Sequence, residues 1–276
     1  MSSLVFYLKY DIAQILKSRI RKIYYIVLIS IVLIDTLFTY FSNSSLLNII
    51  PNVSSYSYFL LESSYGIISK IYCYIFPIIA IFPFALQYYM ETKHNFHISL
   101  ITRGNRWNYL LSKFIISFFI GFLTIFSILM LNYIITILIY PFLDVIIAEN
   151  IMIPDNGAAF EKVFYQNIYV YNFIYILINA FIGGLFSAFA FALSLIIKYK
   201  NEFIVIAVPF IIYTAQSIIL SFINPRYDIL HIIQPKTRFA LISPITSNHI
   251  SLSISIWCGI TILLFFIGYK KGRDLL

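Results

Sequence analysis

Long apolar runs separated by short polar stretches dominate the chain from residue 23 onward. A helix needs about 20 mostly apolar residues to cross the hydrocarbon core of a bilayer. The pattern therefore predicts an all-α integral membrane protein with six transmembrane helices. The six predicted spans are residues 23–41, 71–90, 110–140, 170–197, 203–223 and 251–269.

The segment before the first span has a different pattern. Between Leu4 and Lys22, apolar residues recur every three or four positions, and the basic residues fall largely on another face of the helix. This periodicity is typical of an amphipathic helix that lies in the membrane interface. We therefore expect residues 1–22 to form an interfacial helix that meets the first span at an elbow near residues 21–23.

The distribution of Lys and Arg predicts the orientation of the spans. If both termini are cytoplasmic, fourteen of the nineteen Lys and Arg residues lie on the inner side and five on the outer side. Cytoplasmic loops carry such an excess. We therefore expect both termini to be cytoplasmic. Residues 1–276 then form a single transmembrane domain, in which 23–269 is a six-span bundle and 270–276 is a cytoplasmic tail.

The three predicted outer segments differ in composition. Residues 42–69 are rich in Ser, Asn and Tyr, and residues 141–169 carry four acidic side chains. Residues 224–250 contain three prolines around short apolar stretches. This last pattern predicts short helices, broken at the prolines, that dip back into the outer leaflet.

The composition agrees with a membrane protein and excludes other classes. Of the 276 residues, 61% are hydrophobic and 11% are charged, whereas soluble domains are about half apolar and a quarter charged. The net charge of +8 comes from basic residues at the ends of apolar runs. We therefore expect membrane lipids as partners and no nucleic acid. Cys73 and Cys258 lie in apolar runs without a CxxC motif, so neither a disulfide nor a metal site is expected.

The polar segment between the second and third predicted spans carries most of the candidate chemistry. Residues 91–101 have the length and composition of a short cytoplasmic helix, and Gly104 provides a turn. Arg103 and Arg106 supply charge and hydrogen bonds to something outside the lipid. The alternative is a solvated loop with basic anchors.

This segment resembles one of the ABC-2 type transporter permeases, the membrane subunits of ATP-binding-cassette exporters. Members often carry a glutamate after the second span and a segment like L-T-R-x-x-R-x-x-Y-L-x-x-K before the third. The matching residues are Glu91, Thr102, Arg103, Arg106, Tyr109, Leu110 and Lys113. A second stretch, residues 183–213, also resembles the family through its Gly- and Ser-containing span, a short Lys-containing turn and Ala207-Val208-Pro209.

The resemblance implies that the segment between spans two and three is a coupling helix, which docks into a cleft on a separate ATPase subunit. The turn at residues 198–202 would make a second contact. The implied ATPase-coupling residues are Glu91, Thr92, His94, Arg103, Gly104, Asn105, Arg106, Lys200 and Glu202. The polar 42–69 loop and the residues His94 and His97 depart from the family pattern.

The family also implies the partners. The chain has no GxxxxGK[ST] phosphate loop, so this chain is expected to bind no cofactor and to be no enzyme. ATP and Mg²⁺ would bind to two copies of the ATPase subunit. A second permease copy, or a paralogous permease, would complete the transport route. The bias toward Ile, Asn, Lys, Tyr and Phe indicates an AT-rich bacterial genome, and hence a multi-pass protein of the bacterial plasma membrane.

Polar residues inside the predicted spans are the second group of candidates. Asp35 is the one acidic residue well inside a span, and intramembrane carboxylates are costly enough to suggest function. The substrate-route candidates are Asp35, Asn132, Asn179 and Gln216. The amides have an equally simple interpretation as hydrogen bonds between helices. Gly184 and Ala188 have the small-xxx-small spacing of close helix packing.

The leading hypothesis is therefore a permease domain of an ATP-driven exporter of a peptide, a drug or a lipidic molecule. A secondary transporter would require inverted repeats and intramembrane charges. No convincing repeat is found. An intramembrane enzyme would require clustered His, Asp, Glu or Ser near the bilayer. Glu91, His94 and His97 share a helical spacing but match no hydrolase signature, so no catalytic residue is expected. A non-catalytic membrane immunity or scaffold protein remains an open alternative.

Overall fold

The computed structural model describes seven parts of the chain. These are residues 3–47, 59, 67–94, 105–139, 156–197, 202–233 and 244–271. The segments 95–104 and 198–201, which hold part of the predicted coupling region, lie outside the described residues. Across the described ranges the regular structure is helical, without a β-strand.

Nine α-helices and one 3₁₀ turn make up the described part of the chain. The helices are α1 (Ser3–Lys17), α2 (Arg19–Leu47), α3 (Ile67–Lys93), α4 (Arg106–Ile139), α5 (Glu161–Gln166), α6 (Ile168–Ile196), α7 (Glu202–Ile223), α8 (Ile229–Ile233) and α9 (Ser247–Lys271). The 3₁₀ turn, Pro225–Tyr227, joins α7 to α8. Short helices broken at a proline are therefore confirmed for residues 225–233, where sequence predicted them.

Four of the described helices are long and apolar enough to cross a membrane. They are α4, α6, the Phe203–Ile223 part of α7, and α9. Helix α3 makes a fifth span if its two arms, Ile71–Phe84 and Gln87–Lys93, are taken together. The protein is thus an all-α membrane protein, as predicted. The first predicted span, 23–41, lies within α2, which is helical but is not one of these five.

Helix α6 lies at the centre of the bundle. Of its most apolar stretch 83% is buried, against 17% in α7, and it packs against α3, α4, α7 and α9. Its contact with α4 is unusually close. A Cβ placed on Gly121 of α4 would lie 2.5 Å from Cβ of Ser187, and one on Gly184 would lie 2.8 Å from the carbonyl oxygen of Phe118. The predicted close packing of the small residues in this span is confirmed.

Two prolines interrupt the hydrogen-bond ladder of α3, and two tyrosines repair it. Proline has no N–H, so the carbonyl four residues earlier loses its partner. Pro77 frees the carbonyl of Cys73, which accepts from the Tyr213 hydroxyl of α7 at 2.9 Å. Pro83 frees the carbonyl of Ile79, which accepts from the Tyr24 hydroxyl of α2 at 2.7 Å. The helix bends by 47° between Phe84 and Gln87, just after the second proline.

Helix α1 packs against α4, so the predicted N-terminal helix is present. Phe6 and Ile12 on one side are about half exposed, whereas Tyr7 and Asp11 are buried against the bundle. The break before α2 lies at Ser18, where sequence predicted an elbow at residues 21–23. Serine often precedes the first turn of a helix because its side chain can satisfy an open N–H group, which gives a physical reason for the earlier break.

Candidate functional site

A buried cluster of charged side chains lies where α1 meets the end of α3 and the start of α4. Its centre is Lys113 of α4, whose side chain has no exposed surface. The Lys113 Nζ atom lies 2.5 Å from Oδ1 of Asp11 on α1 and 2.6 Å from Oε1 of Glu91 on α3. Asp11 is 1% exposed and Glu91 is 6% exposed. One cation therefore holds two carboxylates from two other helices, out of contact with water.

Hydrogen bonds from neutral side chains surround the ion pairs. The Tyr109 hydroxyl donates to Oε2 of Glu91 at 2.6 Å. The Gln87 amide nitrogen donates to Oε1 of Glu91 at 3.1 Å and to the Gln14 side-chain oxygen at 2.6 Å. Arg21 of α2 donates from Nη2 to the Gln87 oxygen at 2.9 Å. The cluster therefore connects α1, α2, α3 and α4.

Helical spacing places these side chains together. Gln87 and Glu91 are four residues apart on α3, and Tyr109 and Lys113 are four residues apart on α4, so each pair shares one face of its helix. The helices present these faces to each other directly beside the 91–106 segment. On α1, Asp11 is the residue that completes the contact.

Two aromatic rings lie next to the Lys113 ammonium group. Its Nζ atom lies 5.5 Å from the ring centre of Tyr109 and 5.8 Å from that of Phe84. The negative faces of aromatic rings attract cations. A buried charge is tolerated when it is paired and hydrogen-bonded, and both conditions hold here.

Asp11 is the titratable group most affected by this environment. Burial raises the pKa of Asp11 from 3.8 to about 6, although the neighbouring Lys113 acts to lower it. Its second oxygen, Oδ2, is buried and has no hydrogen-bond partner among the described residues. Burial of an oxygen that no donor reaches disfavours the charged form. The cluster therefore holds a carboxyl group that exchanges a proton near neutral pH.

Of the predicted coupling residues whose side chains the structure describes, Glu91 is the one that joins this cluster. Its carboxylate points inward, and its described partners are the side chains of the cluster. Thr92 donates its hydroxyl to the carbonyl of Tyr89 in its own helix at 2.7 Å. His94 is exposed at the end of α3. His94 is thus directed outward, while Glu91 joins the end of α3 to α4.

The α4 side of the segment has its own anchors. Asn105 is exposed, and its side-chain oxygen accepts from the backbone N–H of Trp107 at 2.9 Å, as a residue before a helix commonly does. The Arg106 guanidinium lies 5.6 Å from the ring centre of Tyr269 in α9. Arg103, Gly104 and Lys200 lie outside the described residues, and Glu202 begins α7. Their coupling roles stay predictions.

The four substrate-route candidates lie on four different helices. Asn179 of α6 is fully buried, and its amide nitrogen donates to the carbonyl of Ile233 in α8 at 3.1 Å, so it acts as a link between helices. Gln216 of α7 donates to Asp228 at 3.3 Å beyond the end of its helix. Asn132 of α4 is fully buried, and Asp35 of α2 is partly buried. Their place on a substrate route stays a prediction.

Sequence reasoning missed Asp11. It is the first acidic residue of the chain and the sole one among residues 1–34, where several basic residues surround it. A single acidic residue on an otherwise basic helix suggests that it pairs with a buried cation. Tyr7 lies one turn away on the same face of α1, which indicates that this face packs against other helices. Within the described ranges, no group of three His, Cys, Asp or Glu side chains could hold a metal ion.

The chain matches no protein-family model, no curated protein and no solved structure.

Proposed function

We propose that this chain is the membrane subunit of an ATP-driven exporter, and that the Asp11–Lys113–Glu91 cluster transmits movement from a separate ATPase into the spans. The supporting observation is the position of the cluster. An ion pair of 2.6 Å between Glu91 and Lys113 joins the two helices that flank the 91–106 segment, and an ion pair of 2.5 Å between Lys113 and Asp11 joins them to the interfacial helix.

A transmission element must be rigid, because a force applied at a loop moves helices only if the loop is fixed to them. Here Glu91 lies at the base of one side of the segment and Lys113 lies two turns into the other. The bond between them closes the base of the segment, and Asp11 adds α1 to the same unit. A push on the segment would therefore displace α1, the end of α3 and the start of α4 together.

The bend in α3 is the point at which the end of this helix could move relative to the rest of the bundle. The lower arm, Gln87–Lys93, belongs to the cluster, and the upper arm, Ile71–Phe84, packs in the bundle. The 47° bend between the arms lies next to Pro83. Proline-broken helices are natural hinge points because one ladder hydrogen bond is already missing.

The wider architecture is part of the proposal. The chain has six spans and both termini in the cytoplasm, and it pairs with a second copy or a paralogue. Two ATPase subunits bind ATP and Mg²⁺ beneath this pair, in the plasma membrane of a bacterium. The exported molecule is a peptide, a drug or a lipidic compound.

One observation favours a second candidate function, a proton-coupled secondary transporter. A buried carboxyl group with a pKa of about 6 beside a lysine is the arrangement that proton-coupled transport needs. In that case the cluster would exchange protons during transport, and no ATPase would be required.

Purification of the tagged chain from its native host in mild detergent tests the proposal. We expect ATPase activity to co-purify with the chain. Glu91→Gln should change the stimulation of that activity by reconstitution into lipid, whereas Lys93→Gln, an exposed neighbour on the same helix, should not. If no ATPase activity accompanies the chain and an imposed pH gradient alone drives transport, the second candidate is correct.

A further inference from the structure

An open groove of about 380 Å³ lies where α1 ends and α2 begins. Its lining residues are Tyr10, Ala13, Gln14, Lys17, Ser18 and Arg21. Two of these side chains are cationic and three others offer hydroxyl or amide groups. The groove therefore combines an apolar lining with two cationic side chains, and it lies on a helix whose other side exposes apolar residues such as Phe6 and Ile12.

The position of the groove brings it close to lipid headgroups. An amphipathic helix in the interface plane lies at the boundary between headgroups and acyl chains. The break at Ser18 is the junction between such a helix and the first predicted span. Basic residues at this depth attract anionic lipid.

Arg21 has one hydrogen-bonding group still to satisfy. Its Nη2 atom donates to Gln87 at 2.9 Å, on the side of the charge cluster. Its Nη1 atom is buried and has no hydrogen-bond partner among the described residues. A buried donor without an acceptor is costly, and a phosphate oxygen is the acceptor that suits a guanidinium group best.

Lys17 and the start of α2 add to the same positive field. Lys17 is exposed at the edge of the groove and is free to turn toward a ligand. Helix α2 has 29 residues and begins at Arg19, directly after Ser18. The N–H groups of a first helical turn have no partners within the helix, and they carry the positive end of the helix dipole.

The nearest acidic groups, Asp11 and Glu91, attract the Arg21 guanidinium as well as Lys113. Asp11 lies one turn from Gln14 on α1, but its Oδ1 atom is directed to Lys113 at 2.5 Å. The Glu91 carboxylate is likewise held by Lys113 and Tyr109. Lys17 therefore supplies the main positive charge for a ligand in the groove, and Arg21 supplies a hydrogen-bond donor.

We propose that this groove is a binding site for a phosphate group, supplied by an anionic lipid headgroup or by soluble phosphate. The bound phosphate contacts Lys17, Arg21 and the Ser18 hydroxyl. It fixes the junction of α1 and α2 at the membrane surface. The site does not depend on the transport function proposed above, because it follows from the groove and its charges.

The test measures the thermal stability of the purified full chain in a neutral detergent, as dioctanoyl phosphatidylglycerol, dioctanoylglycerol or inorganic phosphate is added. We expect phosphatidylglycerol to raise the midpoint saturably, while dioctanoylglycerol, which lacks phosphate, has no effect. Lys17→Gln should weaken the apparent affinity about tenfold, since one charge-assisted hydrogen bond is lost. Lys22→Gln removes an equal charge five residues away, outside the groove, and should change the affinity less than about twofold.

Ala13→Trp provides a second variant that fills the groove without changing charge, and it should also abolish saturable binding. If inorganic phosphate gives the same saturable shift at similar concentration, soluble phosphate is the ligand and the site stands. If Lys17→Gln and Lys22→Gln weaken binding equally, the lipid is attracted by surface charge alone and the proposal is overturned. The proposal is also overturned if neither phosphate-bearing probe shifts the midpoint saturably, or if Ala13→Trp binds normally.

Discussion

Replacement of Lys113 by methionine tests the charge cluster most severely. Methionine has a similar length and suits an apolar site, so the variant removes the charge and leaves little empty space. Asp11 and Glu91, which are 1% and 6% exposed, then face each other without a cation. Removal of one partner from a buried ion pair costs about 3–5 kcal/mol. The structure therefore predicts a large loss of stability from a nearly isosteric change.

The assay is thermal unfolding of the purified chain in a mild detergent. Each kcal/mol lowers the midpoint by about 2–4 °C in a protein of roughly this size, so Lys113→Met should lower it by about 10 °C. The loss should be larger at pH 8 than at pH 5, because Asp11, whose pKa burial raises to about 6, becomes neutral in acid. Lys93→Met is the matched control. It removes an exposed lysine from α3 and should cost about 1 kcal/mol or less.

Two outcomes would refute this reasoning. Equal midpoints for Lys113→Met and Lys93→Met would mean that Lys113 is not the buried centre of the cluster. A loss of stability that does not depend on pH would mean that the two carboxyl groups do not carry the cost. Substitution of the whole group, with Asp11→Asn and Glu91→Gln added to Lys113→Met, should recover part of the lost stability, since no buried charge is then left unpaired.

Three further predictions concern other contacts. Asp11→Asn should flatten the pH dependence of the free energy of unfolding, measured by chemical unfolding at several pH values. The Asp11 pKa of about 6 in the folded chain, against 3.8, means that the folded chain binds this proton more tightly. Stability on the order of 3 kcal/mol is therefore present below pH 4 and is lost as the pH rises through 6. Gly121→Ala should destabilise the α4–α6 contact, because its Cβ would lie 2.5 Å from a neighbouring side chain, whereas Gly259→Ala has open space and should be neutral in the same thermal assay. Tyr213→Phe should lower the free energy of unfolding by about 1–3 kcal/mol in the wild-type chain. The loss should be smaller in a Pro77→Ala background, since alanine restores an N–H donor for the Cys73 carbonyl. Equal losses in both backgrounds would mean that the Tyr213 hydroxyl does not replace the missing donor.

The sequence predicted the helices well because their signal is local. Apolar runs of membrane length gave spans whose described ends differ from the predicted ones by a few residues, as in α6, predicted at 170–197 and observed at Ile168–Ile196. The small residues of this span also predicted its close contact with α4, because backbone approach requires small side chains. Of the six predicted spans, four correspond to long apolar helices, and the bent α3 makes a fifth if its two arms are taken together.

The cluster was harder to predict because it depends on which helices pack together. Glu91 and Lys113 match the family pattern, but the apolar pattern places Glu91 next to a polar segment and Lys113 in the first turn of the third predicted span. Asp11 is 102 residues from Lys113 in sequence, and no local pattern connects them. Likewise, the sequence does not distinguish Tyr24 and Tyr213 from other tyrosines near or within the spans. Their role depends on their contact with the carbonyls that Pro77 and Pro83 leave without a donor.

The central claim is that α1, the end of α3 and the start of α4 move as one unit driven by an ATPase. Spin labels measure this directly in the complex purified from the native host, with both native cysteines replaced. One pair of labels joins exposed positions within the unit, Lys9→Cys and Lys93→Cys, and another joins Lys93→Cys to Phe222→Cys at the far end of α7. We expect a non-hydrolysable ATP analogue to change the second distance and to leave the first unchanged, and we expect Lys113→Met to broaden the distribution of the first distance. If neither distance changes with the nucleotide, the unit of α1, the end of α3 and the start of α4 is not moved by an ATPase.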